Sequence, residues 1–167
     1  MKKKILLIAG GYSNEREVSL LTAKSVYSEL KKNKKYNLKI VEPDGKFIKK
    51  LRLYKPNIVL NLLHGRYGED GYIQSILESE KVKYTHSGVL SSSLAIDKEL
   101  SKKIFLKNNI LTPSYIKFSF KKYLDKKKIL KKINKKFGFP VVLKPINEGS
   151  SVDVYISNKK NFIRNLN

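Results

Sequence analysis

The stretch Lys4-Ile5-Leu6-Leu7-Ile8-Ala9-Gly10-Gly11-Tyr12-Ser13-Asn14-Glu15-Arg16-Glu17 decides the fold. Lys4 to Ala9 is an apolar run of strand length and reads as a buried strand. Gly10 and Gly11 end it, because a glycine pair permits the tight turn of a strand-to-helix junction. The next segment carries Ala23, Val26, Tyr27 and Leu30 at i, i+3, i+4 and i+7, the single apolar face of a helix, with Ser13 as its natural N-cap. A buried strand feeding an amphipathic helix is the unit of an α/β layer fold with a mainly parallel sheet.

The same alternation recurs outward from this unit. Leu38 to Val41 is a second strand, and after the turn Pro43-Asp44-Gly45 a short basic helix spans Phe47 to Leu53. Ile58 to Leu63 is a third strand, followed by a glycine-punctuated loop and a helix whose face is Ile73, Ile76 and Leu77. A short strand lies near Val82 to Thr85. From Gly88 the small residues Ser91, Ser92, Ser93 and Ala95 point to close packing, and Asp97 opens a helix to about Asn108, which Thr112-Pro113 breaks. Beyond this the character changes to a strand Ser114 to Phe118, a lysine-rich helix carrying Leu130, Ile133 and Phe137 with Gly138 as its stop, and a strand Val141 to Lys144. The boundary falls near residues 88 to 96, dividing the chain into a three-layer domain, 1–92, and the beginning of a second, 93–167. There is no internal repeat.

The formal net charge is +22. Clustered lysines would suit nucleic-acid phosphates, but here they recur along the whole chain, and only four of the basic residues are arginine, the usual fork for bases and phosphates. Lysine, asparagine and isoleucine are abundant together, as AT-rich coding DNA gives, so nucleic acid is the disfavoured partner. With no cysteine there is no disulfide or thiolate metal site, and with only His64 and His86 a histidine-rich zinc site is excluded. Hard-cation chemistry stays open. No run approaches the ~20 apolar residues of a membrane span, and Ile5 to Ala9 is too short for a signal peptide, so a soluble cytoplasmic protein is expected.

Three loops carry the chemistry. In the first, Gly10 to Glu17, two carboxylates, Glu15 and Glu17, fall in the first helical turn. Either they cap the helix or one holds a cationic amine at the carboxyl end of the sheet. In the second, His64-Gly65-Arg66-Tyr67-Gly68-Glu69-Asp70-Gly71 follows the third strand on the same sheet edge, where α/β sheets bind ligands. In the third, Lys144-Pro145-Ile146-Asn147-Glu148-Gly149-Ser150-Ser151 puts a lysine at a strand end before a Gly-Ser-Ser turn. This is either a phosphate cradle or a hairpin turn beside a chance lysine; the Walker pattern is absent.

Taken together, the opening GGYSNEREVSL, the loop HGRYGEDGYIQS, the stretch YTHSGVLSSSLAIDK and the segment FGFPVVLKPINEGSSV resemble the D-alanine:D-alanine ligase family of the ATP-grasp fold, in the family's order and close to its spacing. The resemblance covers essentially the whole chain and implies that residues 93–167 are the first part of an ATP-grasp domain. It implies an ATP-dependent ligase of peptidoglycan precursor synthesis, which phosphorylates the carboxylate of one D-alanine and lets the amine of a second attack the acyl phosphate. On this resemblance Glu15 faces the ammonium of the first D-alanine and His64 lies close to that subsite. Lys98 and Lys144 contact the nucleotide, Ser150 with Glu15 anchors a closing loop, and Ser151 lies beside the transferred phosphate. ATP with Mg2+, or Mn2+, and a homodimer are likewise implied.

Three positions depart from the family: His86 and Asp153 stand where glycine is usual, and Arg66 where proline is common. A carboxylate at Asp153 would repel a triphosphate unless it points away. The family's closing loop, adenine pocket, intermediate-stabilising arginine and metal ligands lie beyond the equivalent of Asn167. The expectation is therefore an incomplete copy that alone makes no dipeptide, with no metal ligand of its own. Alternatives are a ligase with D-lactate or D-serine as acceptor, a non-catalytic remnant that binds D-alanine through Glu15 and His64, or a basic nucleic-acid-binding module with salt-dependent DNA affinity.

Overall fold

The computed structural model describes residues 2–119, 125–149 and 151–166. Its contacts divide at Asp97 into two compact units, Met1–Asp97 and Lys98–Asn167.

The first unit runs β1 (Lys3–Ile8), α1 (Arg16–Leu30), β2 (Tyr36–Val41), α2 (Phe47–Tyr54), β3 (Ile58–Asn61), α3 (Tyr72–Ser79) and α4 (Val89–Ile96). The sheet order is β2-β1-β3, all parallel. Lys3 to Ile8 lies opposite Tyr36 to Val41, and Ile5 to Ile8 opposite Ile58 to Asn61. The apolar run puts β1 in the middle, where Leu6, Leu7 and Ile8 are fully buried although they alternate between faces. Leu6 and Ile8 pack with Phe47 and Leu51 of α2 and with Ile73 and Leu77 of α3. Right-handed crossovers that first leave β1 and then return past it set α1 on the opposite face. Ala23 of α1 is buried there, with Val26, Tyr27 and Leu30 half-buried, as the spacing predicts. The result is the expected parallel α/β sheet between two helical layers, and each fully buried aliphatic side chain contributes roughly 1.5–3 kcal/mol.

Two local expectations fail in this unit, and one helix is additional to the expected elements. The N-cap of α1 is Glu15, with no side-chain cap bond, and not Ser13, which lies two residues earlier, accepts the Glu15 N–H at 3.2 Å and donates its proton to the His64 carbonyl at 2.7 Å. The strand expected at Val82 to Thr85 is reduced to a single parallel bridge between Val59 and Tyr84; the chain turns away at once, with His86 at φ 88°. The serine-rich stretch from Gly88 forms its own helix, α4, which Asp97 separates from the next by an extended backbone (φ −83°, ψ 107°). Close packing does hold there, since Ser92 is buried and the Ser93 hydroxyl donates to the Asp70 carbonyl at 2.7 Å.

The second unit contains α5 (Lys98–Lys107), α6 (Lys126–Lys136), β4 (Val141–Leu143), β5 (Tyr155–Ser157) and α7 (Phe162–Asn165), with β4 and β5 antiparallel. Its smaller core is Ile133, Phe162 and Leu166. Asp125 caps α6 by accepting from the Lys128 N–H at 3.0 Å, and Gly138 at φ 72° stops it. Ser114 to Phe118 is not a strand. Ile116 and Phe118 pack against the core instead, and the Tyr115 carbonyl accepts from the Lys136 ammonium at 3.3 Å rather than from a neighbouring backbone.

Candidate functional site

The loops after β1 and β3 leave adjacent strands and run to opposite sides of the sheet, so they flank the crevice where parallel sheets place their ligands. Glu15 ends the first loop. It is 2% exposed, and neither carboxylate oxygen has a hydrogen-bond partner. Its neighbour is the second loop: a Cβ built on Gly65, which sits at φ 67°, would lie 2.5 Å from Glu15 Oε1. Only a glycine leaves that carboxylate room. Glu17 points to solvent, so the two carboxylates of the turn are in different environments.

His64 is held against α1. Its Nε2 lies 3.1 Å from Thr22 Oγ1, and the Thr22 hydroxyl donates to the Val18 carbonyl at 3.0 Å, which assigns Nε2–H as the donor to Thr22. Nδ1 faces Glu69 Oε1 at 3.7 Å, while Glu69 Oε2 accepts the Gly65 N–H at 3.1 Å. Below the loop, the buried amides of Asn61 and Gln74 both donate to the Gly68 carbonyl, each at 2.8 Å. Asp70 accepts the N–H groups of Tyr67 and Tyr72 at 2.8 and 3.1 Å and so closes the turn into α3.

The first loop is anchored by Glu42, the residue after β2. Its carboxylate accepts the Gly11 N–H at 3.1 Å and takes two bonds from Arg16, at 2.8 and 3.0 Å. The Arg16 hydrogen bonds hold the Glu42 pKa below the ordinary glutamate range, with partial burial opposing them and the Gly11 N–H adding to them. A folded-state pKa below the unfolded one gives stability that is present above ~4.3 and lost as pH falls through the folded value. Acid unfolding of the wild-type chain followed at residues 10–16 should therefore begin below about pH 4.3. Glu42→Gln should flatten that slope, and an unchanged profile would remove Glu42 from this role.

In the second unit, Lys98 opens α5 and turns its ammonium onto the carbonyls of Ile146, at 3.1 Å, and Glu148, tying the third loop to the helix. Lys144 is exposed at the end of β4. Lys102, held by Thr112 Oγ1 and the Pro113 carbonyl at 2.8 and 2.7 Å, has its pKa lowered by burial and then by the like charge of Lys144. Ser151 and Asp153 take left-handed backbone angles, φ 62° and 52°, in the β4–β5 connection, and the Asp153 carboxylate accepts from the Tyr155 hydroxyl at 3.4 Å. Ser150 lies outside the described residues. Among the described residues, no group of three or more histidines and carboxylates could hold a metal ion.

Ser19, Thr22, Glu42, Asn61 and Gln74 shape the site without having been singled out in the sequence. One signal was there: Glu15, Ser19 and Thr22 repeat at i, i+4 and i+7, a polar stripe on the buried side of α1. A separate cavity of about 380 Å³ opens among Gly11, Tyr12, Phe47, Leu63, Tyr72 and Ile73. It is mainly apolar, its charged lining residues are Asp44 and Arg66, and it holds neither Glu15 nor His64.

The family model of the D-ala D-ala ligase C-terminus matches residues 104–166. The D-alanine–D-alanine ligase of Pelagibacter ubique is 58% identical over 166 residues, which are 99% of this chain and 54% of that protein. The crystal structure of the D-alanine–D-alanine ligase from Bacillus anthracis superposes with a TM-score of 0.79 at 35% identity, over 98% of this chain and 52% of that one. A structure of the Bacillus anthracis ligase complexed with ATP gives 0.74 at 32% identity, over 97% of this chain and 53% of that one. The chain thus spans about half the length of the relatives it matches. Over the span it shares with these proteins, the chain is similar in sequence and in fold to D-alanine–D-alanine ligases.

Proposed function

We propose that this chain serves ATP-dependent ligation of two D-alanines to D-alanyl-D-alanine, a cytoplasmic step of peptidoglycan precursor synthesis, and that it supplies the subsite for the first D-alanine. The observation that carries this reading is Glu15, a buried carboxylate whose two oxygens have no donor, beside the His64 loop at the sheet's binding edge. An unpaired buried carboxylate is costly, and a primary ammonium with three N–H donors offsets that cost. On this reading His64, whose Nε2 lies 3.1 Å from Thr22 Oγ1, borders the same subsite.

The phosphate end of the reaction falls to Lys144 and Ser151, with Lys98 shaping the loop between them. Burial lowers the Lys102 pKa and the like charge of Lys144 lowers it further, an arrangement of two cations suited to a polyanion such as the ATP phosphates. Asp153, engaged by Tyr155, has a partner within its own turn. In the reaction a carboxylate oxygen of the first D-alanine attacks the γ-phosphorus and ADP leaves. The amine of the second then attacks the carbonyl carbon, phosphate leaves and the surplus proton is lost. Mg2+ or Mn2+ would accompany the triphosphate, and no described residue is assigned to hold it. A homodimer is part of the same proposal.

Titration of D-alanine into the isotope-labelled chain tests the first subsite. Amide signals of residues 10–15 and 64–70 should move in a saturable way, and L-alanine should move them less. Unchanged spectra at millimolar D-alanine would dismiss this reading.

A further inference from the structure

Two serine hydroxyls repeat one arrangement at the site. Each accepts an N–H from the first loop or the strand end before it, and each donates its proton to a carbonyl following β3. Ser19 Oγ accepts the Gly10 N–H at 2.8 Å and donates to the Leu62 carbonyl at 2.7 Å. Ser13 Oγ accepts the Glu15 N–H at 3.2 Å and donates to the His64 carbonyl at 2.7 Å. A hydroxyl has one proton and two lone pairs, so both bridges use the donor fully.

Their position gives these bridges a purpose. The Leu62 N–H still donates to the Ile8 carbonyl at 2.9 Å, continuing the β1–β3 ladder. Past that bond the two backbones diverge into their loops, and the serines carry the pairing onward at Leu62 and His64. The span they fix has Glu15 on one side and His64 on the other. Ser19 is fully buried, and it sits one helical turn after Glu15, its N–H donating to the Glu15 carbonyl at 3.0 Å.

We infer that Ser13 and Ser19 are positioning residues that set the separation of Glu15 from His64, and thereby the affinity of the site for a small α-amino acid. The inference rests on the reading of Glu15 and His64 as a D-alanine subsite. It deepens that reading by locating the device that holds the two loops in register. Displacement by about 1 Å can cost up to ~100-fold where groups must converge on one small ligand.

The test uses the full 167-residue chain and D-alanine as the probe, with affinity read from amide shifts and fold from the dispersion of the same spectra. Ser13→Ala decides, because Ser13 is half-buried and its loss leaves the core intact; Ser19→Ala is a second, independent variant. Each should weaken D-alanine binding roughly tenfold or more and move the His64 ring nitrogen signals. Ser13→Thr, which keeps the hydroxyl, should restore both, while Leu51→Val, a core change under α2, should lower stability and leave affinity alone. Wild-type binding with Ser13→Ala unchanged overturns the inference and leaves the subsite standing. No binding by the wild type removes the subsite and the inference with it.

Discussion

Glu15→Met is expected to raise the stability of the first unit by about 1–2 kcal/mol while abolishing the D-alanine response. Two effects oppose each other at this position. Glu15 precedes α1, where the helix dipole favours a carboxylate by about 0.3–1 kcal/mol. Against that stands the burial of both oxygens without a donor, which costs about 1–3 kcal/mol and more for a charged group. Desolvation wins, so an apolar side chain of like length stabilises. Urea unfolding of the whole chain, followed at residues of the first unit, should show a higher midpoint with an unchanged slope. A lower midpoint would mean that Glu15 has a compensating partner and would undercut its proposed readiness for an ammonium.

Gly68→Ala is expected to cost about 3 kcal/mol or more and to lose the site with the stability. A Cβ at Gly68 would fall inside contact with Leu63 Cβ and lie 3.0 Å from the Leu63 carbonyl carbon, which is backbone and cannot swing aside. Relief would require moving the Gly68 carbonyl, the shared acceptor of the Asn61 and Gln74 amides, and each amide stranded in the core adds its own penalty. Gly45 serves as the comparison, since nothing lies within 4 Å of a Cβ there and Gly45→Ala should change stability little. Equal midpoints for the two alanine variants would contradict the packing described for the second loop.

The skeleton of the first unit was legible because its signals are long-period and redundant. The β1 run, the α1 face and the helix face of Ile73 and Leu77 each state one element unambiguously. Short elements were legible only in part: β3, α2 and β4 were, whereas others were not. Ser114 to Phe118 alternates like a strand, yet alternation also suits an extended segment that drops Ile116 and Phe118 into a core. Residues 89–96 have no capping side chain to announce a helix. At the site, glycines and carboxylates marked both loops of the first unit. Ser19 and Thr22 escaped notice, because a hydroxyl within a helix looks the same in sequence whether it faces solvent or bridges two strand ends. Nor could the sequence foretell that the Lys98 ammonium is spent on the carbonyls of Ile146 and Glu148.

The β2-β1-β3 order has a consequence for how the chain is made. The central strand leaves the ribosome before either neighbour, and the residues between Ile8 and Tyr36 take roughly 1–6 s to synthesise at ordinary elongation rates. During that interval Leu6, Leu7 and Ile8 have no sheet partner, and β3 arrives later still. Parallel pairing across such sequence separations is intrinsically slow, so the apolar β1 segment waits for both of its neighbours before it is covered. That window, rather than the finished surface, is where this sequence is most exposed to chaperone capture or aggregation.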